Sequence, residues 1–407
     1  MKISMKKLYS VMLLMTVQIP FVYSQTCIEV DDDTDWGSLN QYILDLDNQG
    51  GGCIHILPNT TAGSNGEYQA ADLVAALAFD YIKIHDVNNI KLVIHATITS
   101  NTASLINIYN ANNISILGDK IGALKPDLTI AGDGWNGVVT RGTCDNLLIE
   151  GFYISDFPNK GIDVIGTDVQ NVTIRDNVIQ GTSTSKGAAA IGIANSLPTI
   201  PFHGHPQSAT GLVKHVLVEN NTLKNNRVGI TVNKSNYINI RNNTVTNNSL
   251  FGIGLDGMEK NSGDGASHCI VSGNIVTLNG GDTSKSERAG IYMGNGASNN
   301  VVSNNIIRDN YYIGIYFYDD VRVDPLASQT IIANNQILNN GNDGIYTVRL
   351  YSGSIVGNQI IGNGADGIQL NDGFTWSITG NVILNNGQMY LNLNNTFTTG
   401  DDHGNVH

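Results

Sequence analysis

The chain has 407 residues, 45 of them glycine, with only 7% aromatic and 14% charged residues and a formal net charge of −13. So acidic a chain repels nucleic acid and anionic membrane surfaces, and neither is expected as a partner. Length alone suggests two or three globular domains, a need that the internal repeat described below removes.

Residues 1–24 read as a secretory signal. Lys2, Lys6 and Lys7 form a basic start, Leu8 to Val22 is an apolar stretch too short to span a bilayer comfortably, and Val22-Tyr23-Ser24 offers a cleavage site before Gln25. The expected location is secreted or periplasmic. Without those three lysines 19 basic residues face 35 acidic ones, a net charge of −16. Such a protein binds an acidic polymer only through local Arg and Lys or a bridging cation.

Residues 25–80 read as an N-terminal cap region. Cys27 and Cys53 are placed to pair in an oxidising compartment. Asp31-Asp32-Asp33 reads as an acidic turn, with Ca²⁺ as the one candidate cation; no cofactor is expected. Trp36, Leu39, Tyr42, Ile43 and Leu46 recur at helical spacing over Asp35 to Asn48. This short helix would plug the open end of a strand coil, whose first edge is otherwise exposed. Gly50-Gly51-Gly52 ends it, Cys53 to Leu57 alternates like a strand, and Gln69 to Phe79 suits a second short helix.

From residue 81 to 407 the chain repeats. A Gly-Ile pair recurs at Gly161, Gly192, Gly229, Gly252, Gly290, Gly314, Gly344 and Gly367. An Asn-x-aliphatic triplet alternates with it, starting at Asn177, Asn221, Asn243, Asn274, Asn305, Asn335, Asn358 and Asn381. The shortest periods are 22 to 24 residues, and the longer ones are the same unit plus an insertion. That is the signature of a solenoid. Each rung is expected to carry two strands with β-branched residues alternating inward. The asparagine after the first strand suits a left-handed bend and a side-chain ladder inside the coil. The Asn-x-Ser/Thr triplets at Asn113, Asn171, Asn242 and Asn247 are by-products of that ladder. Cys144 and Cys269, about five rungs or more than 20 Å apart at about 4.8 Å per rung, read as buried small hydrophobes.

This Asn and Gly-Ile repeat resembles the right-handed parallel β-helix proteins of the pectate-lyase-like superfamily, over roughly residues 80–395. The resemblance implies an all-β right-handed parallel β-helix with a short N-terminal helical cap. It also implies a carbohydrate-polymer substrate, since most members are lyases, hydrolases, esterases or epimerases of such polymers. The signature peptides of individual families are missing: there is no Arg-His-Gly, Trp-Ile-Asp-His or Asp-Pro-His-Asp, and the paired-Asp plus Gly-His-Gly set is out of order.

The residue after each Gly-Ile should face outward. That column reads Asp163, Ala194, Thr231, Gly254, Tyr292, Tyr316, Tyr346, Gln369, and two residues on stand Asp256 and Tyr318. Tyr292, Tyr316, Tyr318 and Tyr346 are expected as an exposed ladder on which sugar rings stack. Insertions at 196–211, 257–267, 281–289 and 319–328 bracket it, and loops on one side of a solenoid build its site. Asp256 is the expected catalytic carboxyl, with Glu259, Glu287, Asp319 or Asp320 as the second carboxyl that glycoside hydrolysis needs. His268, Lys285, Arg288, Arg322 and Arg349 are expected to bind substrate, the arginines meeting carboxylate or sulfate. The leading expectation is an endo-acting glycoside hydrolase. A lyase using Lys285 or Arg288 with a tyrosine and a non-catalytic carbohydrate binder or adhesin are the alternatives. His203-x-His205 reads as loop histidines, and no metal is expected there.

Overall fold

The computed structural model describes residues 27–405 except 63, 65–66, 70–79, 101–103, 119–126, 131–135, 182–188, 196–211, 258–264, 287, 319–328, 350–351, 373–374 and 395–404. The expected signal segment, residues 70–79 of the second helix, and His203 and His205 lie outside these. The described chain winds as a right-handed parallel β-helix whose rungs each give one strand to three parallel sheets. In chain order the first sheet runs from Ile28–Val30 to Thr375–Thr379, the second from Glu67–Gln69 to Val382–Leu384, and the third from Asp80–His85 to Leu391–Asn394. A rung therefore holds three strands, not two. The missing one is the Asn-x-aliphatic triplet itself: Asn243 is the bend, and Thr244–Thr246 behind it is a whole strand of the second sheet. A strand of three residues is too short to show alternation. The first sheet also begins inside the cap region, where Ile28–Val30 pairs with Gly52–Ile56.

The coil is filled mainly by aliphatic side chains, one from each short strand of a regular rung and two from each third-sheet strand such as Ile253 and Leu255. Ile240, Val245 and Ile253 of one rung are wholly buried, as are Val271, Val276 and Ile291 of the next. Helix α1, Asp33–Asn48, closes the N-terminal end, with Trp36, Leu39, Ile43 and Leu46 turned into the core. The Trp36 ring stacks on Tyr68 at 4.6 Å between centroids. Asp32 is committed to capping this helix, its Oδ1 accepting the N–H groups of Thr34 and Asp35, each at 2.8 Å. Cys27 and Cys53 form a disulfide beside it. Cys144 and Cys269 are buried free thiols; their strands are four rungs apart, not five.

Two asparagine ladders hold the bends. Nine asparagines from Asn177 to Asn405 stack at the first bend and seven from Asn226 to Asn386 at the second. Asn274 shows the pattern. Its Oδ1 accepts both the N–H and the Nδ2 of Asn243, while its own Nδ2 donates to Asn305 Oδ1 and to the Ile240 carbonyl. The left-handed residue is the one before each ladder asparagine, as at Asn242 (φ 55), Gly273 (φ 67) and Asn304 (φ 57). Glycine or asparagine is wanted there because the Cβ penalty is small or locally offset.

The glycine of Gly-Ile has a different cause. A Cβ at Gly290 would sit 2.8 Å from the Gly314 carbonyl oxygen, Asn310 Nδ2 and an Ile307 methyl of the next rung. The third sheet thus packs its backbone directly on the second ladder and the second sheet. Towards the C-terminal end, aspartates before the third-sheet strands add a second relay beside that ladder. Asp343 Oδ1 accepts the Asp366 N–H, and Asp366 Oδ1 accepts the Met389 N–H, both at 2.8 Å. Burial pushes the Asp343 carboxyl up to about 6; the Asp366 N–H opposes this and the Asp366 charge adds to it.

Asn274→Ala should leave the Asn243 N–H unpaired inside the coil and take one acceptor from the Asn243 Nδ2 and one donor from the Ile240 carbonyl, at about 1–3 kcal/mol. Asn242→Gly, at the exposed left-handed site next to the ladder, should cost nearly nothing. Thermal midpoints of the two variants check this, and equal midpoints would contradict the ladder's importance. A second expectation concerns pH. The folded chain holds the Asp343 proton more tightly than the unfolded one, where aspartate titrates near 3.9, so stability falls as pH rises from about 4 to about 6. Asp343→Asn keeps the acceptor for Asp366 and removes that slope. Its melting temperature should exceed the parent's above pH 6 and approach it near pH 4.

Candidate functional site

The outer face of the third sheet is the surface on which most of the expected residues that are described converge. Register fixes its two outward columns. The inner one reads Asp163, Gly192, Thr231, Gly254, Tyr292, Tyr316, Tyr346, Gln369. The outer one, at the trailing edge where the strands end, reads Ile165, Ala194, Asn233, Asp256, Gly294, Tyr318, Val348, Asn371. The sequence alignment had placed Ala194 in the inner column. Ile162 pairs with Ile191, so Gly192-Ile193 is out of frame by two and Ala190-Ile191 is the true repeat.

The tyrosines are in register, but they are not the exposed ladder expected from the alternation. Tyr292 and Tyr316 are buried at 4% and 7% exposure, and Tyr318 and Tyr346 are half-buried. They pack with Phe251, Leu250 and Ile313 into an apolar layer separate from the inner core. Phe251 stacks on Tyr292 at 5.2 Å, Tyr292 meets Tyr316 edge-on at 5.7 Å, and Tyr316 stacks on Tyr346 at 5.3 Å. Glycines make room for this layer. The space a Cβ would take at Gly254 is filled by the Phe251 ring, and that at Gly294 by the Tyr292 hydroxyl. The Tyr292 hydroxyl therefore stands in the trailing column, between the rungs of Asp256 and Tyr318.

Asp256 ends its strand, Phe251–Asp256, and is half-buried. Its Oδ1 accepts Asn295 Nδ2 at 2.8 Å and the Gly257 N–H at 2.9 Å. The insertion that follows also closes on this residue, because the Ala266 N–H returns to the Asp256 carbonyl at 3.1 Å. The carboxyl and the return of the chain at Ala266 are thus both held at one strand end. Tyr318 lies two rungs on, about 10 Å at rung spacing, and Arg349 follows Val348 at the same edge one rung later with φ 60. Asn371 Nδ2 donates to the Tyr346 hydroxyl at 3.0 Å.

Lys285 and Arg288 are not part of this group. They sit at the leading edge, where the third-sheet strands begin, and the strand sets their backbones roughly 20 Å from Asp256 at about 3.3 Å per residue. There Arg288 lies over the Tyr312 ring at 4.4 Å and donates to the Lys285 carbonyl at 3.0 Å. The insertions divide the same way: those after Asn195, Asp256 and Tyr318 leave the trailing edge, and the one at 281–288 leaves the leading edge. His268 lies past the third bend on the first-sheet side, in a stack with Tyr237 at 5.1 Å, which in turn stacks on His215 at 5.3 Å. Glu259, Glu287, Asp319, Asp320 and Arg322 lie outside the described residues.

A buried ion pair on the same face was not read from the sequence. Lys160 Nζ meets Asp163 Oδ1 at 2.7 Å, and its aliphatic stem fills the space above Gly192. The signal was the glycine at 192, hidden by the frame error. Asp343 and Asp366 are a second unread carboxyl pair on adjacent rungs, but each is 3% exposed and spends an oxygen on a backbone N–H.

A family model described as the right handed beta helix region matches residues 203–324 and 265–400. No curated protein matches the sequence. Among solved structures, the A-module of the Azotobacter vinelandii mannuronan C-5 epimerase AlgE6 superposes with a TM-score of 0.58 at 15% identity, covering 94% of this chain and 97% of that one. A hyperthermoactive exopolygalacturonase from Thermotoga maritima gives a TM-score of 0.45 at 12% identity, over 92% and 93% of the two chains. At these identities the first likeness is one of fold, and the second carries no further argument. Sheet order, ladders and these likenesses together give the chain the right-handed parallel β-helix fold, with no narrower family assigned.

Proposed function

We propose that this protein is a secreted or periplasmic carbohydrate-active enzyme that hydrolyses glycosidic bonds within a polysaccharide at the trailing edge of the third sheet. The observation that carries the reading is the strand-held Asp256 carboxylate, at the root of an insertion that opens and closes on its own backbone, with the Tyr292 hydroxyl one rung away and Tyr318 two rungs away. The fold shared with a mannuronan epimerase module supports a polysaccharide substrate. The Cys27–Cys53 disulfide supports an oxidising compartment.

In this reading Asp256, already accepting two N–H donors, is the group that receives charge or a proton, as a base or nucleophile does. The acid is one of the carboxyls that the flanking insertions bring, Glu259 three residues after Asp256 or Asp319 and Asp320 directly after Tyr318. Tyr318 and Tyr346 offer ring edges to the sugar, and Arg349 at the same edge meets a carboxylate or sulfate substituent. The buried Tyr292 and Tyr316 support that surface from beneath.

The mature chain, residues 25–407, is to be incubated with neutral, uronate-containing and sulfated polysaccharides. New reducing ends without ultraviolet absorbance of unsaturated uronate are expected. Asp256→Asn should lower the rate by about 10²–10⁴-fold with an unchanged thermal midpoint. Unaltered turnover in Asp256→Asn would remove this residue from the mechanism, and absorbance rising together with reducing ends would replace hydrolysis by elimination.

A further inference from the structure

The second bend buries its ladder asparagines but turns their neighbours outward. A cleft of about 710 Å³ follows the outside of this bend from Gln180 to Tyr311, a run of five rungs. At about 4.8 Å per rung its length is about 19 Å, each step close to the length of one pyranose residue. Its lining is built for hydroxyl groups. Gln180, Asn225 and Asn247 present amides from three successive rungs, Ser249 adds a hydroxyl beside Asn247, and Asn247 Nδ2 donates to Asn225 Oδ1 at 2.7 Å, which aligns the two. At the far end Tyr311 is 54% exposed. Gly281 lies against its ring, where a Cβ would stand 3.5 Å from Cδ2, so the absence of a side chain at 281 leaves that ring open to the cleft.

The rim is basic in a protein that is otherwise strongly acidic. Arg227 lines the cleft and is exposed. The 281–288 insertion is tied beside it by the Asp282 N–H, which donates to the Ser249 carbonyl at 2.7 Å, and so brings Lys285 and Arg288 to the same edge. Two acids stand near them: Asp282 in the same insertion, and Asp309, two residues before Tyr311, which pairs with Arg308 at 3.1 Å. The Asp282 carboxyl is held below the usual range, first by the two Ser284 donors and then by the charges of Lys285 and Arg227.

We propose that this cleft is a second polysaccharide site, separate from the third-sheet face, which takes a chain bearing carboxylate or sulfate groups. The sugar rings stack on Tyr311, their hydroxyls meet the amide column, and their acidic substituents meet Arg227 and Lys285. The site grips polymer whether or not Asp256 performs chemistry.

Affinity electrophoresis of the mature chain in gels containing polygalacturonate, a sulfated glycan or dextran tests this. Retardation is expected in the two acidic polymers and not in dextran, and it should weaken as salt rises. The two acidic arms tell carboxylate from sulfate. Tyr311→Ala and Gly281→Leu should each weaken retardation about tenfold. Arg227→Gln should weaken it and also flatten its salt dependence. In an Asp256→Asn background Tyr311→Ala should weaken retardation by the same factor as in the parent, which separates this site from the catalytic reading. Equal retardation in dextran, full binding by Tyr311→Ala and Arg227→Gln with parental melting temperatures, or no retardation in any acidic polymer would each overturn the proposal.

Discussion

A coil of parallel strands must turn sharply three times per rung, and every turn leaves backbone groups that the sheets do not pair. Here the answer is a side-chain amide stacked on itself. Each asparagine inside a ladder accepts from the rung on one side and donates to the rung on the other, and its Nδ2 also reaches a strand carbonyl. Buried polar groups are costly unless satisfied, so the ladder succeeds only as an unbroken series. That condition fixes the rung spacing, brings the third-sheet backbone against the second bend, and demands glycine before the inward isoleucine.

The outer face of the third sheet inherits its precision from this constraint. Because the inner residues cannot slip, neither can the outer ones. Asp256 is placed by register two rungs from Tyr318, and a glycine at 294 decides that the space between them holds the Tyr292 hydroxyl. The aromatic residues are then less a platform than a second, outer core, on whose margin the half-buried Tyr318 and Tyr346 remain available. The two edges of the third sheet serve different ends. The trailing edge carries the carboxyl and three insertions, and the leading edge carries cations, Tyr311 and an amide-lined cleft.

Much of the fold was written plainly in the repeat. Ile253, Ile291 and Ile315 in one column and Asn243, Asn274 and Asn305 in another follow from periodicity alone, and the amphipathic spacing of Trp36, Leu39 and Ile43 marks the capping helix. The three-residue strands escaped because alternation needs more residues to show. The frame at Gly192 escaped because a local Gly-Ile match is indistinguishable from the true Ala190-Ile191 until pairing is known.

For the site, the sequence determined which residue types are available and on which rung each stands, since rung number is a one-dimensional property of a repeat. It determined that Asp256, Tyr318 and Arg349 follow outward positions of the same strand type. Only the tertiary structure decided exposure and edge. Tyr292 and Tyr316 are buried because Phe251 and Ile313 pack beside them across rungs, and Lys285 and Arg288 face away from Asp256 because a strand's length separates the sheet's two edges. Inward or outward is set by alternation, which sequence records. Covered or open, and near or far across a sheet, are set by packing between rungs, which only the folded coil contains.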